Sequence, residues 1–203
     1  MRRFLVRENI RLYKNQLASK RNDENREVLE KLLAEAEDEL VHLENLWLWT
    51  CPQRPISQQS GTAIERILDD IVTRSNAAFG SVQLYDENSG ALYLIAQNNL
   101  DGILTEKFAV VRAGDSTIGA QTLKAHVSII IEDVDNGCND KNLLDWTRPL
   151  AVRSIHTTPI LDRDGKFVGV FSTLFSQPNA MTDRERDDNG RYAEELSRLF
   201  AEL

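Results

Sequence analysis

The sequence predicts an α+β protein: an antiparallel sheet of about five to six strands flanked by helices, preceded by an N-terminal helical hairpin or coiled-coil segment. Three observations carry this expectation. A Gly- and Pro-free run with heptad-like apolar spacing opens the chain, two apolar pairs of runs are each joined by a Gly-bearing connection, and a Thr-x-x-Glu capping pattern precedes a last amphipathic run. The expected organisation is a helical segment over 1–49, a linker over 50–60 and one domain over 61–203.

In the first segment Val6, Ile10, Tyr13 and Leu17 recur at helical spacing, as do Leu29, Leu33, Ala36, Leu40, Leu43 and Trp47. The phase is lost between Leu17 and Leu29, and Asp23 offers an N-cap, so two helices are expected rather than one. The first is basic; in the second, over 27–45, acidic residues face only Lys31, so the two carry opposite charge and can pair as a hairpin. The apolar seam decides this more than the charges, because exposed ion pairs contribute about 0–1 kcal/mol each. Pro52 and Pro55, set among small polar residues, end the helical run.

Ala63, Ile64, Ile67, Leu68, Ile71 and Val72 then describe an amphipathic helix that should cover a sheet. Two strands flank Glu87–Gly90 as a hairpin. Residues 100–125 read as helical pieces broken at Ala113-Gly114-Asp115, with Ser116 or Thr117 capping the second piece. The run 127–134 is short and β-branched, as buried strands are, and a brief helical stretch is expected around Leu143, Leu144 and Trp146. Asp162–Gly165 joins a second hairpin, and Thr182 with Glu185 caps a terminal helix that carries Gly190 at a cost of about 1 kcal/mol relative to Ala.

Composition excludes several functions. The 203-residue chain has a net charge of −8, which would repel a phosphate backbone, so nucleic acid is not an expected partner. No apolar window long enough to span a membrane occurs, and charges break the N-terminal apolar positions too often for a signal peptide, so a cytoplasmic location is expected. The two cysteines, Cys51 and Cys138, lie far apart without metal-ligand spacing and are read as free thiols. No Gly-x-Ser-x-Gly, phosphate-binding loop or His-Glu-x-x-His motif is present, so no enzymatic activity and no cofactor is expected.

His126 and His156 are read as structural, because no nucleophile or further metal ligand accompanies either, and His42 as solvated on a charged helix face. Asp133, Asp135, Asp140 and Asp145 do not match the spacing of a calcium loop and are read as caps and loop solubility. No metal site is expected.

The element order is shared by PAS and GAF domains. The run IIIEDV at 129–134 and the stretch AVRSIHTTPILDRDGKFVGVFSTLFSQPNAMTDRERD at 151–187 resemble the GAF family: a strand ending in Pro-hydrophobic, an Asp-Gly hairpin, a Gly-bearing strand ending Ser-Thr, and a capped terminal helix. The resemblance covers about 61–202. It implies a bacterial-type sensor or regulatory module that binds an unknown small molecule, forms a homodimer through its helical segments and hands the signal to a partner protein.

It also places a small-molecule pocket between the sheet and the helices of 100–125 and 140–148, with candidate lining Phe108, Ile118, Trp146, Ile155, Thr157, Ser172 and Leu174. Thr157 and Ser172 are the telling pair, since buried hydroxyls must find partners. Departures from other branches of the family narrow the reading. Cys138 is followed by Asn139 rather than the His common beside a bilin-bearing thiol, the clustered cysteines of methionine-sulfoxide reductases are missing, and so is the constellation of cyclic-nucleotide binders. The competing readings are a small thiol-dependent redox enzyme of the same fold and a structural dimeric adaptor with a filled core.

Overall fold

The computed structural model describes residues 2–18, 26–48, 55–100, 102–137 and 140–203. The chain divides into two compact units, residues 1–49 and 50–203. In the first, α1 (Arg2–Ala18) and α2 (Arg26–Leu48) pack on each other. Val6, Ile10 and Ala36 are buried between them, flanked by Tyr13, Leu33 and Leu40, and Lys14 pairs with Glu37 at 2.9 Å. These are the positions the apolar spacing selects. The two helices therefore pair within one chain.

The second unit opens with α3 (Gln58–Ser75), whose Ser57 side chain accepts from the Ser60 N–H at 3.1 Å. The helix thus starts inside the stretch expected to be linker, because Ser57 provides the cap that the polar composition hides. Its buried stripe of Ile64, Ile67, Leu68, Ile71 and Val72 contributes roughly 1.5–3 kcal/mol per side chain. Asn76 ends it in the left-handed region at φ 54°.

The sheet has six strands: β1 (Phe79–Asp86), β2 (Ala91–Asn98), β3 (Val110–Arg112), β4 (Ile129–Ile131), β5 (Ser154–Leu161) and β6 (Phe167–Phe175). They are ordered β3-β2-β1-β6-β5-β4, and each neighbouring pair is antiparallel. Both expected hairpins form. Asp86 accepts from the Ser89 N–H in the first, and in the second Gly165 takes φ +79°, a conformation that side chains disfavour. The sequence reading missed β3, which lies in a stretch expected to be helical pieces, and it overextended β4, since the chain turns into α6 (Val134–Gly137) after Ile131.

Helices cover both sides, so strands β1 and β6 are buried almost end to end. On one side lie α3 and α8 (Asp183–Phe200). On the other lie α4 (Gly102–Ala109), α5 (Ile118–Ala125) and α7 (Lys141–Thr147). The predicted capping box on α8 is present: the Thr182 Oγ1 accepts from the Glu185 N–H at 3.2 Å, and Glu185 Oε2 accepts from the Thr182 N–H at 2.8 Å. Thr182→Ala is expected to cost about 1 kcal/mol, read as a lower urea midpoint with an unchanged slope.

Candidate functional site

Strand alternation builds two sites on one sheet. In β5 and β6, Ile155, Thr157, Ser172 and Leu174 face α5 and α7, whereas His156, Thr173 and Phe175 face α3 and α8. The sequence left open which strand face turns toward the pocket; register settles it, because Thr157 pairs with Ser172 and His156 with Thr173.

All seven expected lining residues, Phe108, Ile118, Trp146, Ile155, Thr157, Ser172 and Leu174, surround one cavity. Four more join them: Ser81, Gln83, Thr117 and Gly119. The enclosed space is about 20 Å³, of the order of a single water molecule. Ligand pockets for metabolites are roughly 300–1,000 Å³. A metabolite therefore enters only if the helices over the cavity move.

The polar groups of this lining are mostly paired with one another. Thr157 Oγ1 and Ser172 Oγ are 2.9 Å apart, Thr117 Oγ1 accepts from the Ala120 N–H at 3.1 Å as the cap of α5, and Gln83 Nε2 donates to the Phe108 carbonyl at 2.9 Å. The last bond ties β1 to the end of α4. Trp146 meets Phe108 edge to face, with ring centroids 5.3 Å apart, and its indole N–H is buried without a partner. Ser81 and Gln83 escaped the sequence reading because polar residues alternating with Val82 and Leu84 read as a solvent face; Gln83 is in fact 3% exposed.

The second cleft, on the α3 and α8 side, is lined by Arg74, His156, Glu185, Asp188, Asn189 and Tyr192 among others, and encloses about 30 Å³. His156 is 2% exposed, its Nε2 lies 3.0 Å from the Asn179 carbonyl and 3.3 Å from Ser154 Oγ, and its ring packs against Phe175. Burial holds its pKa below the usual 6.5, outweighing the Asn179 carbonyl and the Glu185 and Glu132 carboxylates. Burial also pushes the Glu185 carboxyl up, but the Thr182 cap, His156 and Asn179 more than offset it, so the net direction is down. Tyr192 donates to Asp70, which also pairs with Arg74; burial and then this bond raise the phenol to about 12. These contacts fasten α8 to α3.

Because folded His156 resists protonation, the unfolded chain takes up its proton first as pH falls through 6.5. Stability should then drop with falling pH and level off once the folded histidine titrates too. Urea unfolding near neutrality and about one unit below the ordinary histidine value should show this slope, and His156→Leu should flatten it. An unchanged slope in the variant would assign the acid sensitivity to other groups.

Asp133, Asp135 and Asp140 each have partners within the fold. Asp133 accepts from Arg153 at 2.9 Å and from Asn136 and the Asp135 N–H, and the Arg153 bond leads in holding its pKa below the usual value. Asp135 pairs with Arg153 and Arg148, and Asp140 caps α7. His126 ends α5 in the left-handed region and stacks on Phe167 at 4.6 Å. Among the described residues no group of three or more His, Cys, Asp or Glu could hold a metal ion, and no helix is long and apolar enough to cross a membrane. Cys51, Cys138 and Asn139, on which the bilin and redox arguments turn, lie outside the described residues.

No family model matches the sequence, and no curated protein matches it significantly. Solved structures do resemble it. The GAF domain region of a protein from Geobacter sulfurreducens PCA superposes with a TM-score of 0.63 at 12% identity, covering 71% of this chain and 95% of that one. The GAF domain of an Acinetobacter phosphoenolpyruvate-protein phosphotransferase gives 0.58 at 14% identity, with 70% and 82% covered. The type II free methionine-R-sulfoxide reductase of Thermoplasma acidophilum gives 0.59 at 13% identity, with 72% and 94% covered. The six-stranded antiparallel unit of this chain has a GAF-like fold.

Proposed function

We propose that the protein is a non-catalytic sensor or regulatory module that binds a small molecule in the cavity between the sheet and α4, α5 and α7. The supporting observation is the convergence of eleven lining residues from β1, β5, β6, α4, α5 and α7 on one enclosed space. Residues from so many elements meet where a bound molecule would touch all of them. Neighbours of this fold include a domain of a two-component sensor histidine kinase and a methionine-R-sulfoxide reductase, so the site's chemistry has to choose between such roles.

Occupancy would act through the shared wall. A ligand against Thr157 and Ser172 presses on the strands whose opposite faces carry His156, Thr173 and Phe175 under α3 and α8. Because the enclosed space is so small, binding has to displace α4 or α7, and only a ligand with different affinity for the two arrangements can drive such a shift. The small volume also favours a second reading, a structural adaptor whose core is filled. Among the described residues the lining contains no acid and no base, and the two cysteines on which a thiol enzyme would depend lie outside them.

A thermal-melt screen of metabolites on the full chain tests the pocket, with Thr157→Val/Ser172→Val as control. Removing both members of a buried hydrogen-bonded pair together leaves no orphaned partner, and Ser172→Val also adds a methyl group that narrows the cavity. One or more compounds should raise the melting temperature of the native chain and none should do so for the double variant. Equal shifts in both proteins would move the site elsewhere; no shift in either would favour the adaptor.

A further inference from the structure

We infer that the cavity accepts an uncharged molecule carrying a carbonyl or ring-nitrogen acceptor, which it receives on the Trp146 indole N–H; this rests on the pocket reading above. Among the described residues, every one that lines the cavity is uncharged. A carboxylate, phosphate or ammonium group entering would lose its hydration and find no opposite charge, a penalty that uncharged polar groups do not incur at that scale. The cation nearby, Lys107, stands 5.9 Å from the Trp146 ring centroid and is exposed, outside the lining.

The hydrogen-bonding groups of the lining differ in what they still need. The Thr157 and Ser172 hydroxyls share one hydrogen bond, Thr117 serves its helix cap, and the Gln83 amide nitrogen serves Phe108. Among the described lining residues, Trp146 carries a buried side-chain nitrogen, Nε1, with no partner. An indole nitrogen can only donate, so its complement is an acceptor. A buried donor left unmade is costly, and the ligand that ends that cost gains the difference in affinity.

Access follows from the same pair of rings. Phe108 lies in the last turn of α4 and Trp146 lies on α7, helices of 8 and 7 residues, too short to hold their own positions without packing. Their edge-to-face contact borders the cavity, beside Ile118 and Leu174. Parting the two rings opens a slot between an aromatic face and an indole donor, which suits a flat amide or heteroaromatic group.

The test uses the full chain, nitrogen-15 labelled, and reads the indole N–H signals of its three tryptophans, Trp47, Trp49 and Trp146. Trp146→Phe identifies the third signal. Probes are matched pairs of equal shape and different charge, nicotinamide with nicotinate and benzamide with benzoate, titrated into the millimolar range. The amides should move the Trp146 proton downfield and saturate, with each carboxylate weaker by roughly tenfold or more. Trp146→Phe should weaken amide binding about three- to tenfold, the loss of one neutral hydrogen bond.

Carboxylates that bind as well as the amides, or amides that bind without moving the Trp146 proton, would overturn the ligand class and leave the pocket reading standing. If no probe perturbs Trp146, Thr157 or Ser172, both fall.

Discussion

Gly169→Ala should lower the stability of the protein by about 3 kcal/mol, and Gly169→Val by more. Gly169 sits mid-strand in β6, opposite Leu84 of β1 and Ile160 of β5. A Cβ there would lie 2.4 Å from the Gln83 carbonyl oxygen and 2.9 Å from Phe200 Cε2. The oxygen belongs to the paired backbone of β1, so the clash is not relieved by turning a side chain. Overpacking of this kind costs roughly 3 kcal/mol or more, a large share of the 5–15 kcal/mol or so that domains possess.

Gly190 is the control. Nothing stands within 4 Å of a Cβ placed there, and it lies inside α8, so Gly190→Ala should stabilise by up to about 1 kcal/mol. Urea midpoints of the two alanine variants should move in opposite directions. A neutral Gly169→Ala would mean that β6 does not approach β1 as closely as the register requires.

We propose that the full chain dimerises through its N-terminal helices, so that deleting them should leave a monomer. In the described part of α1 and α2, Leu12 is 50% exposed, Val28 57% and Leu32 37%, whereas Val6, Ile10 and Ala36 satisfy the seam within the chain. Large apolar side chains left on the outside of a hairpin are what a second copy would cover. Val28 and Leu32 lie one turn apart on α2 and present a continuous patch.

Sedimentation of the full chain should give the dimer mass, and a chain starting at Pro55, which keeps the buried Ile56 and the Ser57 cap, the monomer mass. Leu12→Glu with Leu32→Glu should also yield a monomer without unfolding the second unit. Identical association states for long and short chains would place the interface on other helices.

What could be read from the sequence was what each residue signals locally. The stripe from Ile64 to Val72, the turn at Asp162–Gly165 and the Thr182–Glu185 box each need only near neighbours to declare themselves, and each is in place. Four of the seven pocket candidates share the cavity because strand alternation puts Ile155 with Thr157 and Ser172 with Leu174, whichever face is inward.

The rest depends on partners distant in the chain. Val110–Arg112 is a strand only because Ala91–Tyr93 offers a free edge, and three residues carry no periodicity of their own. Buried Ser81 and Gln83 look like surface until α4 and α5 cover them. Cavity size is a property of packing between Phe108 and Trp146, forty residues apart in order of magnitude, and no pattern in either segment encodes it.

Native mass spectrometry of the freshly purified full chain bears most directly on whether this sheet carries a binding site at all. The expected spectrum shows the polypeptide with an added small neutral mass that is released on denaturation and missing from Thr157→Val/Ser172→Val. A bare polypeptide mass in both proteins, together with an unresponsive melting temperature across the metabolite screen, would contradict a sensor and leave a filled structural core.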